Sequence, residues 1–279
     1  MTEVPGRVDV VVPAHNEQAL IGACLSAVVS DARGLDVRVI VVANGCDDAT
    51  AEIARAVGDG AAGIVGFVVV ELPIASKPAA LNAANDHLRG GPVVYLDADT
   101  VITPGSLGAL LAVMDAPAGP VMVGPRPILV RPADRMTRGF AAVWSHLPSV
   151  RGEVIGGGCY AVNAEGRQRW GAFPDVIADD AYVRSLFAAG ERKVVDGAGF
   201  LLVLPSGPEL SRVLARWHRG NAELGRSASP AAGGSRNARA VLAAPGLWRH
   251  VPAFLWVQVT SRFRRRTRWA RAESVRTTG

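Results

Sequence analysis

The run Val8-Asp9-Val10-Val11-Val12-Pro13-Ala14-His15-Asn16-Glu17 decides the fold. Val8–Val12 is apolar but for Asp9, without the strict alternation of a half-buried strand, and reads as a parallel strand covered on both faces. Outward from it, Ile21, Cys24, Leu25 and Val28 recur at helical spacing. Further strands are expected at Val37–Val42, Ile64–Val70 and Val93–Leu96, with helices over Asp47–Val57 and Pro78–Leu88. Thr103 followed by Pro104 reads as the cap and first position of a helix bearing Leu107, Leu110, Leu111 and Met114. This β-α-β repetition implies an α/β protein with an open, mostly parallel twisted sheet flanked by helices.

The second half is less regular. Val121–Val130 reads as a bent strand or strand pair, Ala133–His146 as a helix, and Ile155–Val162 as a strand opened by glycines. A helix is expected from Asp179 to Gly190, a strand at Lys193–Val195, and a helix from Pro208 with Leu210, Val213, Leu214 and Trp217 on one face. Trp217, on that apolar stripe, is expected in the core. Ser227–Asn237 is small, polar and Gly/Pro-bearing, which suggests a loop or linker. The division that follows is a main domain at 1–226, a linker at 227–239 and an apolar-aromatic segment with a basic tail at 240–279.

Composition narrows the class. At 49% hydrophobic residues the chain is not disordered, and three cysteines (Cys24, Cys46, Cys159) without CxxC spacing point to reduced thiols in a cytoplasmic setting rather than a disulfide scaffold. The N-terminus lacks the pattern of a signal peptide, and no run of 18 or more uncharged apolar residues offers a membrane span. The net charge of +5 is concentrated in the tail, where residues 262–279 hold seven arginines and one glutamate. Lys77 and Lys193 are the only lysines.

Three polar clusters fall at expected carboxyl ends of strands: Pro13–Glu17, Asn44–Asp48 and Asp97-Ala98-Asp99. Ligands of open α/β sheets bind outside those ends, so the clusters should converge on one edge. Asp97 and Asp99, two apart in an extended segment, point the same way and can share a hard divalent cation such as Mg²⁺ or Mn²⁺, which would neutralise a diphosphate. Lys77 precedes a helix and could reach a phosphate, though a solvated loop lysine is the plainer reading. Asp179-Asp180 opens a helix, where acidic residues ordinarily complement the dipole. Two adjacent carboxylates exceed what a cap needs, and their repulsion can lift one into the range of a general base. Arg212, Arg216 and Arg219 share one helix face, either solvated or, for Arg216 and Arg219, a clamp for a diphosphate. Gly156–Ala161 formally fits GxGxxA but opens no helix within a βαβ unit. Walker A, HExxH and GxSxG patterns are missing.

Taken in order, VVVPAHNEQALIGACLSAV, VVANGCDDAT, SKPAALNAA, YLDADT, IGGGCYAV and DDAYVRSLFAAG resemble the large inverting family 2 of GT-A glycosyltransferases, over roughly residues 7–225. The resemblance implies a GT-A fold. It implies that Pro13, Ala14, His15, Glu17 and Asn44 hold the nucleoside and that Lys77 lies near the nucleotide. Asp97 and Asp99 would match the DxD that engages ribose and, through Mn²⁺ or Mg²⁺, the diphosphate. Gly156, Gly157 and Gly158 would shape the sugar and acceptor pocket. Asp179-Asp180 would match the Glu-Asp pair, with Asp180 as catalytic base. The chain departs from the pattern in carrying Asp179 for Glu and Asn44 for a frequent Asp. Of the QxxRW signature of processive members only Arg216-Trp217 is present, with Val213 at the Gln position, so single addition is expected.

The expected partners are a nucleoside-diphosphate sugar and a hydroxyl acceptor that is lipid-linked, a glycolipid or a small molecule, not nucleic acid. The stretch Pro245–Val257, followed by arginines, suits either an anionic membrane surface at the inner face of the plasma membrane or a helix packed on the domain. Two rival readings are a sugar-phosphate nucleotidyltransferase, whose Gly-rich, Arg-bearing first loop is replaced here by PAHNE, and a catalytically silent scaffold.

Overall fold

Why the sheet forms is plain from burial. In the computed structural model, which describes residues 6–116, 119–176, 178–223 and 234–263, the strand β1 (Arg7–Ala14) is buried from Val8 onward. It is followed by α1 (Ile21–Asp31), β2 (Asp36–Asn44), α2 (Thr50–Asp59), β3 (Gly66–Leu72), α3 (Lys77–Ala84) and β4 (Val93–Leu96). β1 pairs in parallel with β2 and β4, and β2 with β3. The helix stripe Ile21, Cys24, Leu25 and Val28 is buried, as its spacing required.

Beyond β4 the sheet changes sense. A two-residue strand β5 (Val101–Ile102), α4 (Ser106–Asp115) and β6 (Met122–Leu129) lead to α5 (Arg135–Trp144) and α6 (Pro148–Arg151). Then come β7 (Cys159–Val162), α7 (Ala164–Arg167), α8 (Asp179–Ser185) and β8 (Arg192–Leu202). The eight strands lie in the order β3-β2-β1-β4-β7-β6-β8-β5, and β7 is antiparallel to both β4 and β6. The sheet is therefore mixed, with its parallel half at β3-β2-β1-β4 and an antiparallel half that the βαβ pattern did not foretell.

Several expected boundaries shift for identifiable reasons. Thr103 does not cap α4. Its N–H and hydroxyl bond the Gly199 carbonyl, and the helix begins at Ser106 after Gly105 (φ +83). The cap comes from Asp31 at the end of α1, whose carboxylate accepts from the N–H groups of Gly105 and Leu107. Residues 156–158 form a turn rather than strand, α8 stops at Ser185 instead of reaching Gly190, and the strand expected at Lys193–Val195 runs from Arg192 to Leu202. Asp9, the polar break in the first strand, is 1% exposed and is met by Arg89, whose Nε donates to its carboxylate at 2.6 Å.

The chain divides into two compact units, Met1–Pro127 with Gly156–Leu201, and Ile128–Ile155 with Leu202–Gly279. The second contains α5, α6, α9 (Gly207–Glu223), α10 (Gly234–Leu242) and α11 (Val251–Phe263). Its core gathers Phe140, Val143, Trp144, Leu147, Leu210, Leu214 and Val257, with Trp217 packed against it as expected of a core residue. The linker expected at 227–239 is helical from Gly234, and its earlier part lies outside the described residues. The arginine tail from residue 264 on also lies outside them.

Candidate active site

The site grows from the carboxyl ends of β1, β2 and β4, as expected of a parallel sheet. At the end of β1 the chain turns through Asn16, the one described non-glycine residue with positive φ (52°). His15 Nδ1 lies 2.7 Å from the Asn44 carbonyl. A carbonyl can only accept, so Nδ1 donates in this bond. Asn44 itself is 2% exposed, and its amide Nδ2 donates to the Ala14 carbonyl at 2.7 Å. Asn44, expected to hold the nucleoside, ties β2 to β1 through its amide nitrogen, while its Oδ1 has no hydrogen-bond partner among the described residues. The Glu17 N–H donates to the Thr50 hydroxyl at 2.7 Å, which joins the same loop to the start of α2.

Lys77 is the hub of the opposite wall. Ser76 caps α3 by accepting from the Ala79 N–H, and Pro78 sits in the first turn, which fixes Lys77 at the helix start. Its Nζ lies 2.7 Å from Asp97 Oδ1 and 2.8 Å from Asp179 Oδ1. Although burial works against its charge, the Asp179 and Asp97 carboxylates hold Lys77 protonated well beyond the ordinary lysine range. Asp179 is 4% exposed and takes a second bond, from the Tyr160 hydroxyl at 3.1 Å. Burial ahead of the neighbouring Asp179 carboxylate raises that phenol well above its usual value, so it serves as a donor. Tyr160 gave no signal in the sequence beyond its place on a strand.

Asp180 differs from Asp179 in every respect that matters. It is partly exposed and receives no lysine nitrogen among the ion pairs above. Burial, reinforced by the adjacent Asp179 carboxylate and moderated by Lys77, pushes its pKa up to about 6. Gly156 packs against it. A Cβ on Gly156 would stand 2.5 Å from the Asp180 side chain, and its φ of +67 favours glycine. The turn then bonds the DxD directly, with the Asp97 N–H donating to the Gly158 carbonyl at 2.8 Å.

Asp97 and Asp99 stand at the end of β4. Enclosure raises the Asp97 carboxyl, Lys77 pulls it down, and the Asp99 and Asp179 carboxylates push it up again. Asp99 is exposed, with the Thr100 hydroxyl 3.4 Å from its Oδ1. Among the described residues no group of three or more His, Cys, Asp or Glu side chains could hold a metal alone. Two carboxylates completed by diphosphate oxygens are nonetheless the donor set that Mg²⁺ commonly uses, so Asp97 and Asp99 fit such an ion.

One concavity brings together Pro13, Lys77, Asp97, Gly158, Tyr160 and Asp179. Gly157 does not line it. Arg216 belongs to the second compact unit, and the side chain of Arg219 lies outside the described residues.

Residues 9–156 match the family model described as Glycosyl transferase family 2, slightly more than half of the chain. No curated protein sequence matches it. Among solved structures, the mannosyltransferase PcManGT from Pyrobaculum calidifontis, in complex with GDP-Man and Mn²⁺, aligns with a TM-score of 0.61 at 22% identity over 92% of this chain and 75% of that one. Mannosyl-3-phosphoglycerate synthase from Rubrobacter xylanophilus aligns at 0.53 and 21%, over 79% and 74%. S. aureus TarS 1-349, in complex with UDP, gives 0.52 and 15% over 75% of this chain. The chain spans 64% of that TarS fragment and 39% of the longer TarS chain. These likenesses establish a shared GT-A fold.

Proposed function

The chain belongs to glycosyl transferase family 2, and from that premise we propose that it is a metal-dependent inverting glycosyltransferase that moves a single sugar from a nucleoside-diphosphate sugar to an acceptor hydroxyl. The observation that carries this reading is the division of labour among five charged groups at one sheet edge. Lys77 neutralises Asp97 and Asp179 together, while Asp99 is left exposed and Asp180 is poised near a pKa of about 6. A general base works best with a pKa close to the operating pH.

In this reading the Pro13–Glu17 loop, with His15, walls the nucleoside, and Asp97 and Asp99 face the diphosphate. Mn²⁺ or Mg²⁺ held by Asp99 and Asp97 would stabilise charge on the departing diphosphate, a contribution of several kcal/mol. Asp180 takes the proton of the acceptor hydroxyl as that oxygen attacks the anomeric carbon, and Asp179, fixed by Lys77 and Tyr160, keeps the start of α8 in place. Neighbours of the same fold bind GDP-Man with Mn²⁺ and UDP-GlcNAc, which supports a nucleotide-sugar donor. A lipid-linked acceptor would place the enzyme at the inner face of the plasma membrane. No described helix is long and apolar enough to cross a membrane.

Asp180→Asn tests the assignment. Turnover of the donor that the protein accepts should fall by about 10²–10⁴-fold, with nucleoside-diphosphate affinity by calorimetry unchanged. Turnover equal to that of the unaltered protein would remove Asp180 as base. The anomeric configuration of the product, read by NMR, decides inversion.

A further inference from the structure

Helix α11 carries apolar residues on two opposite sides, and only one of them packs within its unit. Phe254 stacks on Phe140 with ring centroids 5.5 Å apart, Val257 is buried, and the Thr260 and Ser211 hydroxyls lie 2.9 Å apart. These residues face α5 and α9. The opposite side carries Leu255, Trp256 and Val259, each half or more exposed. Trp248, in the 3₁₀ turn Pro245–His250 before α11, and Leu242 at the end of α10 are exposed to the same degree. The Trp248 Nε1–H already donates to the Val241 carbonyl, so its ring can leave water without stranding a donor.

Charge says what fits this face. Residues 234–263 contain no Asp or Glu, and Arg236, Arg239, Arg249 and Arg262 among them are exposed. From residue 234 to the end of the sequence there are ten arginines and one glutamate, whereas the preceding chain is acidic on balance. Exposed tryptophans beside aliphatic side chains and arginines are the composition of a helix lying in a lipid interface, rings at headgroup depth and guanidiniums on lipid phosphates. A second copy would bring two arginine-rich segments together. A nucleic acid would leave Leu255 and Val259 with nothing to stack on or bond.

We propose that the outward face of α11, with the Trp248 turn, docks on an anionic lipid surface. This goes beyond the transferase reading and does not depend on it.

The full chain is sedimented with vesicles of phosphatidylcholine alone and of phosphatidylcholine mixed with phosphatidylglycerol, at low and high salt. We expect binding to the anionic vesicles, weakened by salt. The double variant Leu255→Ser/Trp256→Ser, whose sites face outward, should bind about tenfold less or weaker still, with an unchanged far-ultraviolet circular dichroism spectrum. Arg249→Gln/Arg262→Gln should weaken binding to the anionic vesicles alone. Three outcomes would overturn the proposal: no binding to either vesicle, equal binding by the first double variant, or a dimer in light scattering that this variant abolishes, which would give the face to a second copy. The assay contains no donor sugar, so such a failure would leave the proposed transfer reaction standing.

Discussion

Lys77 decides much of the electrostatics of the site, since it pairs with Asp97 and Asp179 and, more strongly than Arg184, counters the charge around Asp180. Its charge lowers the Asp180 pKa against burial and the Asp179 carboxylate, which raise it. The active form of a base is the deprotonated one, so kcat should rise with pH through about 6 and level off above it. In Lys77→Met that moderating charge is gone, and the midpoint of the kcat–pH profile should move upward; a midpoint that stays or falls would contradict the arrangement. Gly156→Ala should separate geometry from charge. Its Cβ must displace Asp180, and the φ of +67 adds strain, so kcat should drop with little change in the affinity for a nucleoside diphosphate. Of these residues Asp97 and Asp99 stood out at a strand end, whereas Lys77 and Asp180, at helix starts, stood out chiefly through the family resemblance. Tyr160 did not, because its partner Asp179 lies 19 residues away on another element.

At the level of elements, the far end of the sheet is anchored by a network that the apolar reading of β1 passed over. Arg89 donates to both Asp9 oxygens, to Asp36 and to the Val8 carbonyl, which fastens β1 and β2 to the turn before β4. Removing one partner of a buried pair costs about 3–5 kcal/mol. Arg89→Ala should lose that much stability in chemical denaturation, by leaving the Asp9 charge buried and unpaired. The hydrogen bond from Arg89 holds the Asp36 carboxyl below its ordinary range. Its contribution is complete above the unfolded value of about 3.9 and fades as pH falls through the lower folded one. The contrast with α4 is instructive. A local cap can be read from a sequence, as Asp134 caps α5 through the Thr137 N–H, but the α4 cap comes from Asp31, 74 residues before Gly105. The antiparallel half of the sheet escaped for the same reason, since no short-range pattern reports which strand β7 will join.

For the molecule as a whole, the order of the motifs carried the family and the fold, because three of them lie where β1, β2 and β4 end and the others open α3, β7 and α8. The C-terminal segment could be read only as far as its composition. It both packs on its own unit through one face of α11 and keeps an apolar face outward, two properties that the sequence offered as alternatives. Thermal unfolding reads out the proposed metal-assisted nucleoside-diphosphate site at Asp97 and Asp99. The protein is melted with UDP, GDP, dTDP, CDP and ADP, each with Mn²⁺ or with EDTA. A ligand at 100 times its Kd adds about 2.7 kcal/mol when it binds only the folded state. We expect one nucleotide to raise the melting temperature with Mn²⁺, a smaller rise in EDTA, and loss of the Mn²⁺-dependent part in Asp99→Asn. No shift with any nucleotide, or a shift of equal size in EDTA and in the variant, would contradict it.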